Sequence, residues 1–359
     1  MLNTVIIKKF TAGLLLLALM GGCRKDNLLP PVDRTTSPRT MGAFIENNYD
    51  LSILAAMLKK TNMMDTLNQG GPFTLFAPDN SAFNSMGIRL EDVAKMEVDS
   101  LRFMLRYHLI RNRYFTTTFP QQLDNRYMTL AGEEIYVSTL INAKPGPDDD
   151  VFVNGALIYK ESRRNTPLAN GVMHILSKPL KVTRGTVQDY IAGDTSLTLF
   201  AAAMKQFNLW GGLKTNKPLT IFAPANTAFA KYGITAEKIA AMNPDNYKAI
   251  VFSIYAIEMR KLRIFSPDGY ILNGTTVISD NAIKVGDYAI APDYSYYPTI
   301  GENATITLTK WKSAAWMPNE DGAYMLKYYN GLANADHLAS NGIVHVVDDL
   351  FLNPDLMKR

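Results

Sequence analysis

The sequence predicts an α+β protein built from two tandem copies of one domain, and three observations carry that expectation. Residues 51–89 align with 197–235 at a constant offset of 146 without a gap, and 16 of the 39 pairs are identical. In each copy a helical spacing of apolar residues precedes a short apolar run, and alternating runs with Gly/Asn turns follow. The 359 residues are 47% hydrophobic and 19% charged, a globular balance with length for two ordinary cores.

Lys8 and Lys9 flank the apolar residues 10–19 (FTAGLLLLAL), and Met20-Gly21-Gly22-Cys23 follows. Small residues before a Cys at the end of a short apolar run resemble the lipobox of bacterial lipoprotein signal peptides. The resemblance implies a leader over residues 1–22, cleavage before Cys23, and acylation of its thiol. Residues 10–22 are too few to cross hydrocarbon, which takes about 20. Cys23 is the single cysteine, so stability is expected from apolar cores rather than disulfides. Residues 23–40 carry Pro30, Pro31 and Pro38 among Thr, Ser and Arg, and read as anchor and tether.

Domain 1 is expected over residues 41–183 and domain 2 over 186–355, joined by Thr183-Arg184-Gly185. Leu51, Leu54, Ala55 and Leu58 share a helix face, with Asp50 as the expected N-cap. Phe73 to Ala77 reads as a buried strand ended by Pro78, with Asn80 or Ser81 capping the helix that Ala82-Phe83 enters. Residues 91–108 read as one further helix. From about Met128 to Leu180, strands alternate with turns at Ala131-Gly132, Asn154-Gly155 and Asn170-Gly171.

The blocks TLFAPDNSAF (74–83) and NGVMHIL (170–176) recur as TIFAPANTAF (220–229) and NGIVHVVDDLF (341–351). The pair resembles the signature blocks of fasciclin (FAS1) domains over nearly the whole mature chain. It implies two FAS1-like domains, each a β-wedge or sandwich flanked by helices, with a role in adhesion or in matrix and glycan association. Domain 1 keeps the family's Tyr-His pair as Tyr107-His108, whereas domain 2 has Tyr255-Ala256. An Asp-Ile pair tied to integrin contact in animal relatives is replaced here by Asp336-His337, so integrin binding is not expected.

Gly132 to His174 spans 42 residues, against 71 from Gly274 to His345. This excess falls in a ring-rich stretch that includes Tyr294, Tyr296, Tyr297, Trp311 and Trp316. Tyr and Trp bury large areas at low entropic cost and stack on sugars, which makes these residues candidate contacts, with Asp336, His337, Tyr107 and His108 beside them. The stretch is read as dispensable for folding.

His174 and His345 read as buried structural histidines. Four scattered histidines and the lone run Asp148-Asp149-Asp150, read as a solvated turn, give no metal expectation. No cofactor is expected, and the absence of a GxSxG elbow argues against an enzyme. Formal charge is +4, and without Lys8 and Lys9 the balance is 35 basic against 33 acidic residues, which argues against nucleic acid. The expected partners are the outer membrane through the lipid and a protein or polysaccharide ligand at the cell surface. A second expectation, by family analogy, is an accessory scaffold that contacts an outer-membrane transporter in a glycan-uptake complex.

Overall fold

The computed structural model describes residues 38–139, 150–181, 185–215, 218–258 and 335–359, together with Phe265, Asp268 and the backbone of four strands between 283 and 327. The elements below lie in the compact unit Arg39–Arg359. In the first repeat Thr40 caps the Met41–Glu46 helix. Asn48, rather than Asp50, begins the next element: its side chain accepts the Asp50 N–H at 3.0 Å. A short amide two residues upstream closes such a turn more easily than Asp50 can cap its own helix. A 3₁₀ turn, Tyr49–Leu51, and the Ser52–Lys60 helix follow.

Strand β1 is Phe73–Pro78. Asp79, not Asn80 or Ser81, caps the Asn80–Ser85 helix by accepting the Ala82 N–H at 2.7 Å. Asn80 instead turns back to the Ser52–Lys60 helix. It accepts the Ile53 N–H at 3.0 Å and donates to the Tyr49 carbonyl and Ser52 Oγ at 2.9 and 3.0 Å. That satisfies a helix-start N–H which has no partner within its own helix. Asn226 repeats the device with Leu199, Thr195 and Thr198.

The single helix expected over 91–108 is broken. A 3₁₀ segment, Leu90–Lys95, gives way at the extended residue Met96 to the Val98–Tyr107 helix. Lys60 braces the break: its ammonium donates to the carbonyls of Val93, Ala94 and Met96 at 2.6–2.8 Å. Glu97 then caps the new start through the Asp99 and Ser100 N–H groups.

The rest of the repeat supplies β2 (Leu109–Arg111), β3 (Asn125–Met128), β4 (Glu134–Thr139), β5 (Val151–Val153), β6 (Ala156–Leu157), β7 (Thr166–Leu168) and β8 (Gly171–Leu176). They form two four-stranded sheets, β2-β1-β8-β7 and β3-β4-β5-β6. β1 and β8 run parallel in register from Phe73↔Gly171 to Pro78↔Leu176, so the two sequence blocks lie side by side. Alternation along β1 divides it between two cores. Phe73, Leu75 and Ala77 face the helices, and Phe76 faces the second sheet with Ile135, Val137 and Val153.

The second repeat adds β9 (Leu219–Pro224), β10 (Ala256–Glu258), β11 (Ile283–Val285), β12 (Tyr288–Asp293), β13 (Thr305–Lys310), β14 (Tyr324–Lys327), β15 (His337–Ala339) and β16 (Gly342–Val347). The order β10-β9-β16-β15 reproduces the first sheet, with β9 and β16 parallel from Leu219↔Gly342 to Pro224↔Val347. Strands β11-β12-β13-β14 form an antiparallel sheet. This corrects the reading of the ring-rich stretch as dispensable. It holds three of the four strands of that sheet, and sheet pairing cannot survive their loss.

Among the described residues each repeat gathers its own cores, from Met41 to Leu180 in the first and from Val187 to Leu352 in the second. One cluster mixes them: Tyr136 of the first repeat packs with Phe265, Leu338 and Ile343 of the second.

Candidate functional site

The Asn-Gly pair that opens the second block is a structural bracket. Asn170 accepts the Met41 N–H at 2.9 Å and donates to the Leu67 and Gly70 carbonyls at 2.7 and 2.8 Å. Asn341 does the same for Val187, Leu213 and Thr215, at 2.9 Å each. The glycine beside each bracket is a matter of space: a Cβ on Gly171 or Gly342 would collide with the carbonyl of Phe73 or Leu219 on the adjacent parallel strand. The block therefore marks where three parts of the chain are tied together.

Tyr107 and His108, candidate contacts by sequence, are both buried. The Tyr107 hydroxyl donates to the Glu134 carbonyl at 2.9 Å and accepts from Asn154 Nδ2 at 2.8 Å. His108 Nδ1 lies 2.8 Å from the Met104 carbonyl, and its Nε2 accepts the Leu180 N–H at 2.9 Å. A ring that donates at Nδ1 and accepts at Nε2 is neutral, and burial holds its pKa down at about 4. The pair is corrected from a contact to a joint between the Val98–Tyr107 helix and both sheets. Tyr255 is likewise buried, with its hydroxyl accepting the Phe351 N–H at 2.7 Å.

His174 is wholly buried, stacks on Phe76 at 5.7 Å, accepts the Asn165 N–H at Nδ1 and donates from Nε2 to the Tyr114 carbonyl. Burial holds it near 4 as well. His345 repeats the stacking on Phe222 at 5.3 Å and accepts the Asp336 N–H at 3.4 Å. Both histidines serve structure.

Asp336 and His337 fall where the repeats meet. Asp336 sits at φ 61°, a left-handed conformation that Asp tolerates better than most residues. Its carboxylate takes the Lys178 ammonium of the first repeat at 2.6 Å, with side chains 3% and 7% exposed. His337 is half-buried and stacks on Tyr190 at 4.8 Å. Burial first, then Lys181, His345 and Lys178, bring it down to about 4, against the pull of Asp336. Nearby, Asp268 is fully buried and accepts the Phe265 N–H at 2.8 Å. Burial pushes its carboxyl up to about 8, helped by the charges of Asp336 and Asp124.

Cys23, Tyr294, Tyr296, Tyr297, Trp311 and Trp316 lie outside the described residues. Asp150 is not part of a solvated turn; it is buried and paired with Lys160 at 3.0 Å. Among the described residues no group of three or more His, Cys, Asp or Glu could hold a metal ion, and no helix is long and apolar enough to cross a membrane. Lys178 escaped sequence reasoning, and Gly155 was legible only as a turn residue; both lie against Asp336. A signal existed: the offset of 171 that relates the second blocks also pairs Asp336 with Asn165, an acid where the first repeat has an amide.

A fasciclin domain family model matches residues 49–182 and 195–258. The transforming growth factor-beta-induced protein ig-h3 of Sus scrofa is 29% identical over 163 residues, covering 45% of this chain and 22% of that protein. The cell surface glycolipoprotein MPB83 of Mycobacterium bovis is 35% identical over 115 residues, covering 31% of this chain and 47% of that protein. A FAS1 domain pair from the insect cell adhesion molecule Fasciclin I matches with a TM-score of 0.38 and 16% identity, covering 84% of this chain and 96% of the other. The chain thus spans about a fifth to a half of the length of these curated relatives.

Proposed function

Because the chain belongs to the fasciclin domain family, we propose that it is a non-enzymatic adhesion or ligand-binding lipoprotein of the bacterial envelope, held to the outer membrane by lipid on Cys23. One observation carries the reading. His174 and His345, which the repeats place in their second blocks, and the Tyr107-His108 pair of the first repeat are buried and engaged with the chain's own backbone. Recognition then falls to the surface. Similarity to a cell surface glycolipoprotein supports the location, and the short leader with its terminal Cys23 supplies a means of attachment. Acyl chains add about 0.8 kcal/mol per buried methylene, enough for durable anchoring when two or three are present.

The ring-rich stretch is the proposed contact surface, with Tyr294, Tyr296, Tyr297, Trp311 and Trp316 as its anchors. Because that stretch contains β12 to β14, the test is point substitution. The mature protein and a variant with these five residues changed to Ser are applied to a panel of glycans and matrix proteins. Loss of binding with an unchanged melting profile is expected; full retention assigns the contact elsewhere. Cross-linking in intact cells that recovers an integral transporter would instead favour the accessory role.

A further inference from the structure

We propose that the two repeats are clasped into one cooperative body by the buried Lys178–Asp336 ion pair, a device created by a single amide-to-acid difference between otherwise matching corners. In the first repeat the corner residue is Asn165, at φ 56°, and its N–H donates to His174 Nδ1 at 3.1 Å. Its side chain stays within the repeat, accepting the Thr116 N–H and donating to Thr116 Oγ1, both at 2.8 Å. In the second repeat the corner residue is Asp336, at φ 61°, with the same N–H contact to His345 Nδ1. Backbone and histidine are conserved between the corners; the side chain's destination is not. The carboxylate keeps Oδ1 3.9 Å from His345 Nδ1 of its own repeat, while Oδ2 reaches across to Lys178, 158 residues earlier in the chain.

Three further contacts show that the first repeat is shaped to receive it. The Asn154-Gly155 turn between β5 and β6 faces the carboxylate, and a Cβ on Gly155 would lie 2.5 Å from Asp336 Oδ2. Gly155 is at φ 73°, so the turn gains both its hand and its closeness from the missing side chain. Asn154 is itself tied to Tyr107 and to the Tyr136 N–H, which connects the turn to the interior of the first repeat. Beside the ion pair, Tyr136 packs on Phe265, Leu338 and Ile343. The apolar contact supplies attraction, and the ion pair supplies register. A buried charge left without its partner is strongly unfavourable, so opening the junction requires both ions to be rehydrated together.

Calorimetry on the full-length protein in detergent tests this. The wild type is expected to unfold in one transition. Lys178→Met and Asp336→Asn should each split it into two, one per repeat, with faster hydrogen exchange at the Asp336 and Leu338 amides. Asn165→Asp, which alters charge at the matching corner without an inter-repeat partner, should leave the number of transitions unchanged. The reversal Lys178→Asp/Asp336→Lys should regain part of the lost coupling. Single transitions with unchanged exchange in both single variants would overturn the clasp. So would splitting in Asn165→Asp equal to that in Asp336→Asn, because the effect would then belong to the corner rather than to the pair. Should a variant not fold, exchange measured on Gly155→Ala decides: unchanged junction exchange overturns the proposal and faster exchange supports it.

Discussion

His108 and His174 set the acid limit of the first repeat. Both are buried and held at about 4, against an ordinary 6.5. As pH falls below 6.5 the unfolded chain takes up protons that the folded chain refuses. Stability present above 6.5 is therefore lost progressively down to 4, by about 3 kcal/mol per histidine. Chemical denaturation at pH 7, 6 and 5 should show this decline, and His174→Gln should make it shallower. Asp268 acts in the opposite sense. Its carboxyl, raised from 3.8 to about 8, keeps its proton in the folded state, so its contribution is present at low pH and fades as pH rises through that window. Asp268→Asn should remove this fading, seen as a wild-type-minus-variant difference that declines from pH 4 to 8. Asn170→Ala strips one acceptor and two donors from a tied corner; a loss of about 2–4 kcal/mol is expected from the partners left unsatisfied.

At the scale of elements, Phe76 shows what the sheets contribute. It is fully buried between the first sheet and the second, and Phe76→Ala should cost about 3–5 kcal/mol in a denaturant titration. The strand positions were legible because β1 and β9 are apolar runs ended by Pro78 and Pro224, and Asn-Gly turns punctuate the rest; their order in the sheets rests on pairings between distant segments and was not. The helix break at Met96 was not legible, since the ammonium that braces it comes from Lys60, 36 residues away. Caps were misjudged by a residue or two because Asp, Asn and Ser stand together at 79–81 and sequence does not say which one turns outward. Tyr107 and His108 read as contacts because polarity in a motif resembles a site; only the positions of Glu134, Asn154 and Leu180 reveal that it is internal. The junction was legible only as an acid at 336 where the first repeat has Asn165. Lys178 has no local pattern, and its pairing with Asp336 is purely tertiary.

At the scale of the whole molecule, two repeats with separate cores share one compact unit. Anchoring is tested by Cys23→Ser, which should move the protein from the membrane pellet to the soluble fraction and abolish incorporation of labelled palmitate. Retention in the pellet with the label still present would place the lipid on another residue. The parallel pairings have one more consequence. Phe73 finds its partner at Gly171 and Leu219 finds its own at Gly342, 98 and 123 residues further along the chain. During synthesis neither first sheet can therefore close until its closing strand has emerged. Such late closure favours slow folding. It also makes a premature stop anywhere before residue 342 as damaging to the second repeat as the loss of its first strand.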